Sequence, residues 1–201
     1  LGHRSAGVSP RELQKNMRNS QNVSEFVREQ LNARVGDGSD IAGGDVGINW
    51  ETSRENYVEN CRSWIDEELN RFTDEYDGKV FIVDISRSDS ELSDEDWFFT
   101  KEIRPFLRKS FKKRIKSHNH QTFQGEAMVM ATNPQRVKGL ESAHCLVIGD
   151  PGLDENDRID RQFIAGGMYV AMTRARHSVS FYLPKDWATI KLERSEDVND
   201  Q

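Results

Sequence analysis

The sequence has few cysteines and no long apolar run. Cys61 and Cys145 are the only cysteines among 201 residues, too few for a disulfide framework and without the spacing of a metal site. Free thiols in a reducing, intracellular compartment, cytoplasmic or nuclear, are therefore expected. No apolar stretch reaches the length that spans a membrane, and the N-terminus has no signal-peptide pattern. We therefore expect no membrane partner.

A phosphate-binding loop is also absent from the sequence. No GxxxxGK[ST] pattern occurs, and the one Gly-Lys pair, Gly78-Lys79, is followed by Val80 instead of a hydroxyl residue that would bind magnesium. The apolar run Phe81–Asp84 ends in an aspartate, as metal-holding strands do, but Ile85 stands where a catalytic acid would follow. We interpret this run as a core strand. The chain is not expected to bind and hydrolyse a nucleotide by itself.

Basic residues are outnumbered, but they are not spread evenly. The formal net charge of −6 argues against non-specific nucleic-acid binding by the whole surface and leaves a local basic face open. The segment 101–116 holds eight Lys or Arg residues and one acid, Glu102. We predict that it is helical, with a kink or restart at Pro105. One face of that helix would carry four lysines: Lys109, Lys112, Lys113 and Lys116. This face would contact a nucleic acid, or pair with the acidic segment 89–96.

Short apolar segments alternate with amphipathic ones along the chain. "KVFIVDIS", "GEAMVMAT", "HCLVIGD" and "HSVSFYLP" are typical of buried strands. "SRENYVENCRSWIDEELNRFTDEY" and "DRQFIAGGMYVAMT" have helical spacing, and a first helix follows Asn19 or Ser20 as its cap. After Pro184, "KDWATIKLER" is predicted to be a last short helix. The glycine-rich stretch "GDGSDIAGGDVG" is predicted to be a loop. This order predicts a single α/β domain over residues 1–201, with a core from about 11 to 185. Its mainly parallel sheet would be flanked by helices, and its chemistry would lie at the carboxyl ends of the strands.

Three stretches carry a more specific signal: "LQKNMRNS" near the start, "VKGLESAHCLVIGD", and "MYVAMTRAR". In this order they resemble the fourth, fifth and sixth motifs of the second RecA-like domain of superfamily 1 helicases of the UvrD/Rep type. The resemblance covers about Leu13 to Leu183. It implies a RecA-like domain of the P-loop NTPase type that lacks its own phosphate-binding loop. ATP and Mg²⁺ would be bound mainly by a first RecA-like domain of the same parent. Because the sequence opens without a methionine, we interpret it as a fragment of that parent.

The resemblance also implies roles for individual residues. Arg174 would be the arginine finger of the sixth motif, and Arg18 a second arginine for the γ-phosphate, since a guanidinium is always charged and presents a planar fork of donors. Arg176 is expected to be a surface charge. Further residues would contact the nucleotide: Glu141, Gly139, Lys138, Thr173 and Met17, the last in the place of an aromatic residue. Single-stranded DNA or RNA would be contacted by Asn133, Gln135 and Thr132.

The implied function is that of an ATP-dependent helicase or translocase fragment, inactive as an ATPase alone. Two alternatives stay open. A degenerate helicase-like module would regulate or bind proteins without motor activity, and the altered fourth and fifth motifs favour it. A nucleic-acid-binding domain would work through the basic segment, with steeply salt-dependent affinity.

Overall fold

Alternating apolar and amphipathic segments fold into a layered α/β arrangement. A computed structural model describes residues 15–31, 37–39, 43, 46–75, 80–86, 98–110, 115–117, 129–152 and 161–189. The helices are α1 (Gln21–Leu31), α2 (Tyr57–Glu75), α3 (Arg104–Ser110), α4 (Pro134–Val137) and α5 (Arg161–Arg174). The strands are β1 (Lys15–Ser20), β2 (Asp37–Ser39), β3 (Val46–Glu51), β4 (Val80–Asp84), β5 (Ile115–Ser117), β6 (Val129–Thr132), β7 (Ser142–Ile148) and β8 (Ala175–Pro184).

Six strands form the central sheet in the order β3-β8-β7-β4-β6-β5, and every pair in it is parallel. Strands β1 and β2 form a separate parallel pair. Because the six strands run in one direction, all their carboxyl ends lie at one edge of the sheet and all their amino ends at the other. The predicted α/β class with a parallel sheet is confirmed, and it is the arrangement expected of a RecA-like domain.

The central strands are apolar on both faces because helices cover both. All five residues of β4 are buried. One face packs with α1 and α5 in a cluster that includes Val27, Val83, Val147 and Phe181. The other packs with α2 and α3 in a cluster that includes Leu69, Ile82 and Leu146. Burial on both faces explains why the strands are nearly continuous apolar runs instead of alternating patterns.

Helix α5 follows β7, runs back across the sheet, and leads into β8. Its middle lies very close to its neighbours. A Cβ added at Gly167 would come 3.1 Å from Cβ of Ile85 and 3.2 Å from Cγ of Pro134, while one added at Gly166 would meet nothing within 4 Å. The small residue at position 167 therefore lets α5 approach both the end of β4 and the start of α4.

The predicted long basic helix is wrong in its second half. The segment is a π-helical turn over Phe99–Ile103 followed by α3, which ends at Ser110, and Ile115–Ser117 is the edge strand β5. The irregularity coincides with Pro105, which has no N–H to donate to the preceding turn. Arg62 of α2 supports this turn from outside, donating to the Glu102 carbonyl oxygen at 2.7 Å and to its carboxylate at 2.9 Å.

Two other expectations about elements are corrected or sharpened. The glycine-rich stretch predicted as a loop contains β2 and the first residues of β3. The short helix predicted after Pro184 is a 3₁₀ turn over Lys185–Thr189, with Trp187 fully buried. Both corrections concern short segments whose conformation depends on pairing or packing with distant parts of the chain. In the part of the chain that the structure describes, no helix is long and apolar enough to cross a bilayer.

Candidate functional site

Arg174 lies at the junction between α5 and β8. Its half-buried side chain donates from Nη1 to the Leu140 carbonyl oxygen at 3.5 Å and from Nη2 to Thr173 Oγ1 at 3.2 Å. The Thr173 hydroxyl in turn donates to the Val170 carbonyl oxygen of the same helix at 3.1 Å. Thr173 thus accepts a hydrogen bond from Arg174, and Arg174 in turn donates to the turn that contains Leu140. The guanidinium is held between the helix end and the turn that precedes β7.

That turn is formed by the "KGLE" stretch. The Leu140 N–H donates to the Val137 carbonyl oxygen at 3.0 Å. Lys138 has φ −55° and ψ 124°, and Gly139 has φ 83°. These angles are those of a type II turn, whose third position favours glycine because it requires a positive φ. Lys138, Gly139 and Glu141 are exposed beside Arg174. The turn therefore presents an ammonium, a bare backbone and a carboxylate to solvent.

The end of β1 is bound to the same junction. Asn19 is buried, and its Nδ2 donates to the Ala175 carbonyl oxygen at 2.6 Å and to the Met172 carbonyl oxygen at 3.4 Å. Ser20 Oγ donates to the His177 carbonyl oxygen at 3.3 Å and accepts from the Val23 N–H at 3.4 Å, which makes it the cap of α1. The residues flanking Thr173 and Arg174 are therefore held from the side of β1.

The "NMRN" stretch is thus bonded to the stretch that carries Arg174. Arg18 precedes Asn19 directly, so its backbone lies one residue from the bonds to the α5–β8 junction. The side chains of Arg18 and Met17 lie outside the described part of the chain, and their predicted contacts with the phosphates and the base stay predictions.

The position of this site differs from the one expected of the sheet as a whole. Arg174 and Glu141 directly precede β8 and β7, at the edge that holds the amino ends of the strands. These two residues therefore do not lie at the carboxyl ends of the strands, where the chemistry of a parallel sheet is expected. The reason lies in the connections between strands. Helix α5 returns the chain to the amino edge before β8 begins, and α4 with the turn after it does so before β7 begins.

The residues predicted to bind single-stranded DNA or RNA lie at the other edge of the sheet, which holds the carboxyl ends of the strands. Thr132 ends β6 with 0% of its surface exposed, and Asn133 is 3% exposed. Asn133 caps α4, its Oδ1 accepting from the Arg136 N–H at 3.2 Å. The burial of both side chains argues against direct contact with a nucleic acid. Gln135 is exposed, and it alone of the three has an accessible side chain.

The proposed lysine face does not form as a single helix face. Lys109 is exposed on α3, but Lys116 belongs to β5. Lys112 and Lys113, like the acidic segment 89–96, lie outside the described residues. Arg176 is exposed, as expected of a surface charge.

Three buried groups, His144, Cys61 and Cys145, have shifted pKa values. His144 is buried, and its Nδ1 lies 2.6 Å from Ser178 Oγ. Burial lowers the pKa of His144 to about 4, because the charged imidazolium would lose its hydration there, and the nearby His177 and Arg71 add to the effect. Burial also raises the thiol pKa of both Cys61 and Cys145. The predicted free thiols are confirmed, and burial keeps them protonated and unreactive.

Glu51, at the end of β3, collects hydrogen bonds that hold it ionised. Its Oε2 accepts from the Tyr182 hydroxyl at 2.6 Å and from Asn60 Nδ2 at 2.9 Å, and its Oε1 accepts from the Ser53 N–H at 2.8 Å. These bonds, led by that of Tyr182, lower the pKa of Glu51 to about 2. The cluster attaches the first turn of α2 to the sheet.

Asp84 fits its interpretation as the polar end of a core strand. It is fully buried, and its Oδ1 accepts from the Ser86 N–H at 2.9 Å and from the Ser86 hydroxyl at 2.6 Å. No group of three or more His, Cys, Asp or Glu residues is placed to hold a metal ion within the described ranges.

Sequence reasoning missed Asn19 and the Leu140 carbonyl, which complete the surroundings of Arg174. An asparagine before a helix is usually its cap, and that local explanation concealed the long-range bonds of Asn19. A backbone carbonyl has no sequence signature at all.

Comparisons with known proteins add little beyond the fold. No protein-family model matches the chain. No curated protein matches it. Among solved structures, it is similar to a crystal structure described as the C-terminal domain of a possible DNA helicase from Lactobacillus plantarum WCFS1. The identity is 16% and the TM-score 0.48, over 89% of this chain and 91% of that one. A likeness at this level leaves function to be argued from the site itself.

Proposed function

We propose that this chain is the second RecA-like domain of an ATP-dependent helicase or translocase of the superfamily 1 type, acting on single-stranded DNA or RNA. It would work with a RecA-like domain that carries the phosphate-binding loop and binds ATP and Mg²⁺. This chain would supply Arg174, with Arg18 beside it, to the phosphates across the cleft between the two domains.

The observation that carries the proposal is the convergence of three separate stretches on Arg174. The "KGLE" turn accepts from its guanidinium, Thr173 of "VAMTRA" accepts from it as well, and Asn19 of "NMRN" bonds to the backbone on both sides. A helix C-terminus favours any cation without function. The preference of a helix C-terminus for cations does not account for the buried Asn19 amide and the type II turn beside Arg174.

The proposed chemistry is electrostatic. A guanidinium that neighbouring residues hold opposite a phosphoryl group stabilises the negative charge that builds on that phosphoryl group during transfer. Glu141, Lys138 and Gly139, exposed on the adjacent turn, are the residues of this chain that would lie against the nucleotide. Closing and opening of the cleft would alternate the grip on the strand, with Gln135 as the accessible contact.

The test is ATP hydrolysis by the natural full-length protein, with and without single-stranded DNA or RNA. Arg174→Ala should reduce strand-stimulated hydrolysis by about a thousandfold or more, as expected of an arginine finger. Arg176→Ala is the matched control, since Arg176 lies two residues away and is exposed; it should leave the rate unchanged. An Arg174→Ala variant that hydrolyses ATP at the wild-type rate would refute the role proposed for this arginine.

The second candidate is a helicase-like module without motor activity. The burial of Thr132 and Asn133 favours it, because the fifth-motif residues expected to contact the strand are turned into the protein. It predicts no hydrolysis by the wild-type protein with any nucleic acid, and that result would select it over the motor.

A further inference from the structure

Asn19 is the buried amide nearest the α5–β8 junction, and its place calls for more than helix capping. The cap of α1 is Ser20, whose Oγ accepts from the Val23 N–H. Asn19 instead points away from its own helix and is 2% exposed. An asparagine with this little exposure is uncommon unless its amide is hydrogen-bonded.

The two bonds of Asn19 enclose a very short piece of chain. Its acceptors are the carbonyl oxygens of Met172 and Ala175, more than 150 residues away in sequence, and between them lie only Thr173 and Arg174. One amide group therefore holds both the last turn of α5 and the first residue of β8. The orphan carbonyls of a helix C-terminus need such partners. Here the partner comes from the strand that carries Arg18.

We propose that Asn19 is a positioning residue for Arg174. This inference rests on the proposed function, since it assumes that Arg174 serves a phosphate. The two hydrogen bonds of the Asn19 amide fix the direction of the last turn of α5, and so the point from which the Arg174 side chain leaves the backbone. The Leu140 carbonyl and the Thr173 hydroxyl then orient the guanidinium itself. Asn19 also sets the distance between Arg18 and Arg174, because it follows Arg18 directly in β1.

The mechanism predicts a defect in the chemical step. A misplacement of about 1 Å in a catalytic group can lower a rate by about a hundredfold. Without the Asn19 donor, the Met172 and Ala175 carbonyl oxygens on the two sides of Arg174 lose their shared restraint from β1, whereas the contacts that Lys138 and Glu141 would make with the nucleotide persist. The turnover number should therefore fall, and KM for ATP should change little.

The experiment uses the natural full-length protein and two variants that lack the amide donor. Asn19→Ala shortens the side chain, and Asn19→Leu keeps its branched shape without the donor, so a failure of one to fold leaves the other. Each should lower kcat by about tenfold to a hundredfold. Ser20→Ala is the matched control: it removes the α1 cap and the bond to the His177 carbonyl oxygen, and so destabilises the same region while both Asn19 bonds beside Arg174 remain.

A double-mutant cycle separates positioning from general destabilisation. In an Arg174→Ala background, the Asn19 variants should cause no further fall in kcat, while their effect on the unfolding midpoint should persist. An equal additional fall in that background, or a wild-type kcat in both Asn19 variants, would overturn the inference while leaving the role of Arg174 intact. A wild-type kcat in Arg174→Ala itself would overturn the proposed function and this inference with it.

Discussion

At the scale of single residues, Gly139 shows how backbone geometry serves the site. Its φ of 83° lies in the left-handed region, which costs an L-residue about 1–2 kcal/mol. Gly139→Ala should therefore lower the free energy of unfolding by about 1 kcal/mol, measured by urea denaturation, although no atom would obstruct the added methyl group. The matched control is Gly47→Ala, also open within 4 Å but on a strand without a positive φ. Equal losses in the two variants would contradict the backbone explanation.

Individual residues were predictable from sequence where a motif singled them out. Arg174 and the "KGLE" turn were identified by order and spacing, and the structure brings them together. Thr132 and Asn133 were identified in the same way but are buried, because Asn133 caps α4 and Thr132 ends a strand covered by helices. A motif fixes which residue types are present, whereas their exposure is decided by packing with segments far away in sequence.

At the scale of elements, the adjacent glycines Gly166 and Gly167 of α5 differ in how closely other atoms pack around them. Gly166→Ala should raise the free energy of unfolding by about 0.5–1 kcal/mol, because alanine has the better helix propensity and the position is open. Gly167→Ala gains the same propensity but pushes against Cβ of Ile85 and the ring of Pro134, neither of which can rotate away. Overpacking of this kind costs about 1–3 kcal/mol.

Gly167→Ala should consequently be less stable than Gly166→Ala by at least about 1 kcal/mol, measured by chemical denaturation of both variants under one set of conditions. The double variant provides the control: its stability should equal the sum of the two single changes, since the methyl groups face different surroundings. A Gly167→Ala protein as stable as Gly166→Ala would show that α4 moves freely against α5.

Elements with a clear apolar pattern were predictable, and those without one were not. Helices α2 and α5 and strands β4, β7 and β8 carry enough periodic or continuous apolar residues to specify themselves. Strand β3, with Gly47 and Asn49, has no such signal, and its conformation depends on pairing with β8. The basic segment satisfies helical spacing throughout, yet its last part, Ile115–Ser117, is an edge strand because β6 offers a partner.

At the scale of the whole molecule, stability should depend on pH through His144. Its pKa is lowered to about 4 in the folded protein from 6.5, so the fold favours the neutral ring. The contribution of His144 to stability is complete above pH 6.5 and is lost as the pH falls toward 4. In this range His144 binds a proton in the unfolded chain but not in the folded one. Between pH 7 and pH 5 the free energy of unfolding should fall by about 2 kcal/mol.

Chemical denaturation at several pH values measures this slope, and His144→Asn should abolish it over the same range. Glu51 acts in a separate window. Its pKa is lowered to about 2 from 4.5, so its contribution is present above pH 4.5 and is lost between pH 4.5 and 2. A slope between pH 7 and 5 that survives His144→Asn would assign it to other groups.

The strand order has a consequence for how the protein is made on the ribosome. Strand β3 leaves the exit tunnel well before β8, its one neighbour among the described strands, in which Val179 lies beside Val46. More than a hundred residues must therefore be synthesised before β3 has a partner. β8 must then enter between β3 and β7, each of which it pairs with in parallel. Pairing at such sequence separation is slow. The same strand that joins β3 to the sheet starts directly after Arg174, so the surroundings of Arg174 can form only after β8 has been synthesised.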